Sequence, residues 1–224
     1  MAVILEKIIQ GSEEWHQARL GSPGASSASK IITNSGQKSK QAEEYMYQLA
    51  GEYIAGKHEE GFVSQHMING IEREAAARTL FELVTGLDVQ QVGIVYKDEK
   101  KRFHCSPDGL VGDNSGLEIK NPMVKTQIKY LLKGTLPSEY FSQTQMSLYV
   151  SERDTWHFMS AYDGLPPLII EVHRDEAFIK KLAQALDDFC EELASVVEKL
   201  RITQDSRASH DNTTGRTCFM EGVK

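Results

Sequence analysis

Apolar positions recur along this chain with two different periods, and the switch between them outlines the fold. The first third has a helical period. Ser12, followed by Glu13 and Glu14, reads as an N-cap with two acids that the helix dipole favours. A short helix is therefore predicted to run to Leu20 and stop at Gly21. A second start lies at Gly24-Ala25-Ser26-Ser27-Ala28-Ser29, leading into Lys30-Ile31-Ile32. Tyr45, Met46, Leu49, Tyr53 and Ile54 recur at helical spacing, and Gly56 closes that segment. A longer stripe, Met67, Ile68, Ile71, Ala75, Leu80, Phe81 and Val84, predicts a helix from about Ser64 to Thr85, with Gly86 as its C-cap.

The middle of the chain alternates instead. Val92, Ile94 and Tyr96 predict a half-buried strand, and Arg102 to Cys105 a second one ended by the turn-rich Ser106-Pro107-Asp108-Gly109. Leu110-Val111 resumes a strand, a Gly-rich loop follows, and Leu117-Glu118-Ile119-Lys120 is a third, closed by Pro122. Two helical stretches come next, about Thr126 to Leu132 and Ser138 to Tyr149. The last strands are Trp156 to Ala161 and Leu168 to Val172. A closing helix carries Phe178, Ile179, Leu182, Leu186, Phe189, Leu193, Val196, Val197 and Leu200. Beyond it the sequence is polar and unpatterned, so the expectation is one domain over 1–202 and a loose tail over 203–224. Helices, short strands, helices, strands and a helix in that order predict an α/β or α+β domain, with a central mixed sheet flanked by helices.

Composition narrows the class. A chain of 224 residues, 40% hydrophobic and 25% charged, is ordinary for a globular protein, which excludes disordered and fibrous classes. No apolar run approaches the roughly 18 residues that a membrane span needs. The N-terminus turns charged at Glu6 and Lys7, too soon for a secretory signal. Cys105, Cys190 and Cys218 share no C-x-x-C spacing, which argues against a disulfide framework and a structural zinc site. A reducing cytosol is the expected setting. The net charge of −7 is unusual for a protein that coats DNA. It is unevenly spread: Tyr96 to Lys133 holds eight bases against five acids, and His173 to Leu200 seven acids against four bases. A local positive funnel inside an acidic whole remains compatible with nucleic acid.

The chemistry concentrates at Asp108 and at Leu117-Glu118-Ile119-Lys120. On a strand, Glu118 and Lys120 share one face and Leu117 and Ile119 the other. If the second face is core, Glu118 and Lys120 are lifted out side by side. A hairpin return then brings Asp108 beside Glu118. Paired carboxylates repel when ionised and a divalent cation relieves them; oxygen-only donors suit Mg²⁺ or Mn²⁺ rather than zinc. Lys120 could then activate an attacking water and stabilise negative charge on a phosphorane-like transition state. The same residues also fit an Asx-turn at Asp108 and a surface pair of Glu118 with Lys120. Glu74 fits an i, i+4 pair with Arg78 on a solvated face, although Ala75-Ala76-Ala77 would let its helix pack closely on the sheet. Gln143 and Gln145 lie on different faces of their helix. Ser26, at a helix start, would suit a terminal phosphate. Trp15 and Trp156 read as core, and His16, His104 and His157 as structural.

The motifs Trp15-His16-Gln17-Ala18-Arg19-Leu20-Gly21, Asn69-Gly70 with Glu74 and Ala77-Arg78-Thr79-Leu80-Phe81-Glu82, Cys105-Ser106-Pro107-Asp108-Gly109-Leu110, Gly116-Leu117-Glu118-Ile119-Lys120-Asn121-Pro122, Gln143-Thr144-Gln145 and Arg174-Asp175-Glu176 occur in one order. In that order the chain resembles the bacteriophage lambda exonuclease family, the YqaJ-type viral recombinases of the PD-(D/E)XK nuclease superfamily. The likeness runs from about Gly11 to Leu200. It implies a PD-(D/E)XK restriction-endonuclease-like core and a Mg²⁺-dependent 5′→3′ exonuclease acting on linear duplex DNA. Such an enzyme hydrolyses one strand and leaves a 3′ overhang for recombination by annealing. It also implies a toroidal homotrimer threaded by DNA, working with a single-strand annealing protein.

Carried over by position, Asp108, Glu118 and the Ile119 carbonyl would hold the metal, Mg²⁺ or Mn²⁺. Lys120 would activate water, Glu74 and Gln143 would support the site, and Arg19 with Ser26 would take the 5′-phosphate. Lys38 or Lys40 stands in the place of a groove-tracking arginine. Two other readings use the same fold: an endonuclease or junction resolvase, and a DNA-binding subunit without catalysis.

Overall fold

The computed structural model describes residues 1–58 and 65–214, with side chains described for 1–58 and 73–203. Ser64, Cys218 and the side chains of Met67, Ile68, Asn69 and Ile71 lie outside that description. The elements follow the order read from the sequence. They are β1 (Val3–Leu5), α1 (Glu13–Arg19), a 3-10 turn (Ala25–Ser27), α2 (Ala28–Ile31), α3 (Ala42–Ala55) and α4 (Gln65–Thr85). Then come β2 (Val89–Gln90), β3 (Ile94–Tyr96), β4 (His104–Cys105), β5 (Gly109–Val111) and β6 (Ser115–Lys120). The last are α5 (Val124–Lys133), α6 (Phe141–Ser151) behind a short 3-10 turn, β7 (Thr155–Ser160), β8 (Leu168–His173) and α7 (Glu176–Thr214).

Local chemistry explains several of these boundaries. Ser12 takes the extended cap conformation and its hydroxyl accepts from the Trp15 amide, so one of the four orphan donors at the start of α1 is satisfied. Gly134 closes α5 in the left-handed region, where a side chain would be strained.

Two sheets form. A small antiparallel sheet has the order β1-β3-β4, and the larger one the order β2-β5-β6-β7-β8. Within the larger sheet only β6 and β7 run parallel, with Glu118 level with Phe158; α5 and α6 make the crossover between them. This mixed sheet is covered on both faces. Leu117, Ile119, Val111 and Met159 pack against Ala77 and Phe81 of α4. On the other face Trp156, Phe158 and Val172 pack against Leu148 of α6. Gly116 lies level with Trp156, and a Cβ there would collide with the indole ring. The opposite side of α6 joins the largest core, through Met146 and Val150, with α3, α7 and the small sheet.

The double covering changes one expectation. Glu118 is not lifted into solvent beside Lys120. It is only 5% exposed, because α6 lies over the face on which both side chains stand. Two elements were not read from the pattern, β1 and β2, with three and two residues. Such short edges hold too few positions to display a period. The closing helix also runs past Leu200 and Thr203 to Thr214. No Gly or Pro interrupts that stretch, so a polar sequence continues the helix where a loose tail was expected. Trp156 is core as expected, whereas Trp15 is half-buried and hydrogen-bonded.

Candidate active site and end pocket

β5 and β6 form an antiparallel hairpin in which Gly109 is level with Leu117, and one further step of that register sets Asp108 opposite Glu118. The Asp108 amide donates to the Leu117 carbonyl at 3.1 Å, and its Oδ2 accepts from the Ile119 amide at 2.5 Å. The turn and the strand therefore fix the carboxylate between them. Like charges directly opposite on one sheet face destabilise each other, and here they do so away from water. Burial, and then the Glu118 charge, push the Asp108 carboxyl well above the usual carboxylate range.

Two partners hold Glu118. Its Oε1 accepts from Gln143 Nε2 of α6 at 2.6 Å and pairs with the Lys120 ammonium. Burial alone would pull the Lys120 ammonium down, but Glu118 and Asp108 outweigh it and hold it above the ordinary lysine value. The Lys120 ammonium also lies 5.4 Å from the centre of the Tyr140 ring.

From the other side α4 contributes Glu74 and Arg78. Arg78 binds Glu74 Oε1 at 2.6 Å and donates through Nε to the Asp108 carbonyl at 3.0 Å. Glu74 is thus neither a freely solvated helical acid nor in contact with Asp108: it is clamped by the arginine that braces the Asp108 backbone. Gln145 faces away, bridging the His173 carbonyl and the Asp175 amide. Among the described residues no group of three or more His, Cys, Asp and Glu side chains gathers at one point. The donors gathered here are the two carboxylates of Asp108 and Glu118, an all-oxygen pair whose chemistry would suit Mg²⁺ or Mn²⁺. The mutual repulsion of Asp108 and Glu118 is the feature such a cation would relieve.

A second set of residues lines a cavity of about 270 Å³ that includes Arg19, Ser26, Lys30, Glu52, His58 and His104. The Arg19 guanidinium stacks over the Trp15 ring at 3.8 Å, and Trp15 Nε1 donates to the Gly93 carbonyl and to Ser106 Oγ. Burial lowers the Arg19 pKa from its ordinary value, yet a guanidinium stays charged. Arg19 Nε also donates to His104 Nε2 at 3.0 Å, so that nitrogen must be the acceptor. The proton then sits on Nδ1, facing Ser22 Oγ at 3.1 Å, while the Ser22 hydroxyl donates to the Arg102 carbonyl. His104 is only 1% exposed, and burial, then Arg19, hold it well below the usual histidine value. It is a neutral brace for Arg19.

The cavity and the carboxylates are joined along the chain. His104 and Asp108 stand four residues apart, which limits their separation to about 14 Å. Sequence reasoning found Arg19 and Ser26 but treated His16 and His104 as structural, and it passed over Glu52 and His58. One signal was present: Glu52 falls three residues after Leu49 and seven after Tyr45, on the buried stripe of α3. Lys38 points elsewhere, pairing with Glu192 of α7 at 2.9 Å.

Comparisons agree with this architecture. The profile of the YqaJ-like viral recombinase domain matches residues 14–154, so the chain belongs to that family. It is similar to the crystal structure of an alkaline exonuclease, LHK-Exo, from Laribacter hongkongensis. That match has a TM-score of 0.79 and 31% identity, and covers 87% of this chain and 99% of that one. The same protein in complex with dAMP matches equally well. A phage-related exonuclease from Haemophilus somnus shares the fold at a TM-score of 0.66 and 13% identity, over 80% of this chain and 96% of that one. No curated protein matches the sequence. None of the described helices is long and apolar enough to cross a membrane.

Proposed function

We propose that the chain is a Mg²⁺-dependent 5′→3′ exonuclease that starts at phosphorylated ends of linear duplex DNA, hydrolyses one strand and leaves a 3′ overhang. The observation that carries this reading is the pairing of Asp108, Glu118 and Lys120 on one face, with an Arg19-lined cavity four residues back along the chain at His104. Family membership and the likeness to an alkaline exonuclease support it.

In this reading Asp108, Glu118 and the Ile119 carbonyl hold the cation, which supplies Lewis acidity at a phosphodiester oxygen when bound. Lys120 orients and activates the attacking water and offsets the charge that grows on the phosphoryl oxygens. Gln143 fixes the Glu118 carboxylate, and Glu74 acts through Arg78 on the backbone of Asp108. Arg19 and Ser26 take the terminal 5′-phosphate, and His104, which braces Arg19, stands within about 14 Å of Asp108 along the chain, a few nucleotide steps of roughly 3.4 Å. A homotrimeric ring around the duplex and a single-strand annealing partner complete the proposal.

Digestion of linear duplex with 5′-phosphate or 5′-hydroxyl ends, beside a closed circle, tests it directly. Metal-dependent loss of one strand from phosphorylated linear DNA is the expected result, absent with chelator and in Lys120→Ala. Cutting of the circle would instead establish an endonuclease, and no cutting by folded protein would leave a DNA-binding subunit.

A further inference from the structure

Two histidines of the end cavity make opposite demands on their protons. His104 faces a donor, Arg19 Nε, and so must keep one nitrogen bare. His58 faces acceptors on both sides: Nδ1 lies 2.8 Å from Glu52 Oε2, and Nε2 lies 3.0 Å from the His16 carbonyl. A neutral imidazole can donate to only one of these, whereas an imidazolium donates to both. Glu52 is 4% exposed, and its other oxygen accepts from Gln48. Left unpaired, that buried carboxylate would repel any anion in the same cavity. Among the described residues, the charged and titratable groups facing this cluster are His16 and Arg19 of α1, Lys30 of α2, Tyr45 and Glu52 of α3, and His104 of β4.

We propose that His58 is a specificity-determining residue of the end cavity: as an imidazolium clamped between Glu52 and the His16 carbonyl, it cancels the buried carboxylate and makes the cavity selective for a phosphomonoester terminus over a hydroxyl one. The proposal rests on the reading of the cavity as the 5′-phosphate site. Its consequence is pH-dependent choice of DNA ends. When His58 loses its proton, one hydrogen bond is lost and the Glu52 charge is returned to the cavity.

The test is equilibrium binding of fluorescent blunt duplexes, 5′-phosphorylated or 5′-hydroxyl, to the full chain in chelator so that nothing is cut. The expected wild-type preference for the phosphate is about tenfold at low pH and shrinks once raised pH strips the second imidazole proton. His58→Gln should show a small preference that does not shrink as the pH rises, since the phosphomonoester only gains charge on losing its own second proton at about pH 6. Glu52→Gln, lacking the charge to be cancelled, should keep the preference at high pH. A full pH-dependent preference in His58→Gln, with that preference abolished by Arg19→Ala, would overturn the role of His58 and leave the cavity's role standing. No preference in the wild type at any pH would remove both.

Should His58→Gln fail to fold, ¹⁵N spectra of the wild-type histidines carry the test. Both His58 nitrogens, which face acceptors, are expected to carry protons in the phosphate-bound protein and to shift on addition of inorganic phosphate. A neutral His58 that ignores phosphate overturns the proposal.

Discussion

At Asp108 and Glu118 the chain presses two carboxylates together out of the water; around Arg19 and His58 it gathers cations about one buried carboxylate. The first region sets two carboxylates against one paired lysine, a surplus of negative charge that a divalent cation would relieve. Among the described residues the second has one acid, Glu52, already engaged by Gln48 and His58. Both are buried and both are rich in hydrogen bonds, so burial alone does not separate them. The sign of the charge left over does. In the proposed function the first region takes a cation and the second an anion, and the four-residue step from His104 to Asp108 connects them.

The sharpest way to break the comparison is to empty the first region. Lys120→Ala or Asp108→Asn should slow single-turnover cleavage of linear duplex by about 10²–10⁴, the range expected for a positioned proton-transfer group. Binding of the same duplex should persist, and its loss would instead mean damage to the fold.

Removing the cation of the second region should act differently. Arg19→Ala should abolish the preference for phosphorylated over hydroxyl ends, a loss of about tenfold that a charge-assisted hydrogen bond can account for. Competition between the two ends in one tube measures it.

Ligand addition should also separate the regions. Mg²⁺ without DNA should raise the thermal midpoint of the wild type, since a ligand that binds only the folded state stabilises it, and should do so far less for Asp108→Asn. Acid should strike the other region. His104 is held neutral with its folded pKa depressed, so its contribution is fully present above its unfolded value of about 6.5 and is lost as pH falls. Denaturant midpoints should therefore decline on acidification below about pH 6.5, and less steeply in a variant that folds without His104.

The smallest effect concerns the helix that carries Arg19. Ser12→Ala should cost about 1 kcal/mol by removing the cap over the Trp15 amide, read as a shift in denaturant midpoint.

How far these regions could be read from the sequence follows from how local their signals are. The Asp108 and Glu118 pair was legible because a turn, an alternating strand and a short hairpin bring them together with nine residues between them. The burial of Glu118 was not, because the covering helix α6 is a separate element whose docking no strand period reports. Arg19 was reached through resemblance rather than pattern, whereas Ser26 was also read from its place at a helix start. The clamp on His58 joins α1 to the end of α3, and His58 Nε2 meets a backbone carbonyl, which has no signature in side-chain identity. The extension of α7 to Thr214 was hidden for a simpler reason. Its last turns carry no apolar stripe, so nothing marks them as helix except the absence of breakers.

The parallel pairing of β6 with β7 has a consequence for how the protein is made. On the ribosome, Glu118 is synthesised 40 residues before Phe158, its level partner, and 25 before Gln143. The β5–β6 hairpin can form as soon as it emerges, but α6 and β7, which bury and orient the Glu118 carboxylate, arrive only after the crossover has been translated. Long-range parallel pairing is also a slow step in folding. A nascent or truncated chain that ends before α6 and β7 therefore carries Glu118 without the elements that bury and orient its carboxylate.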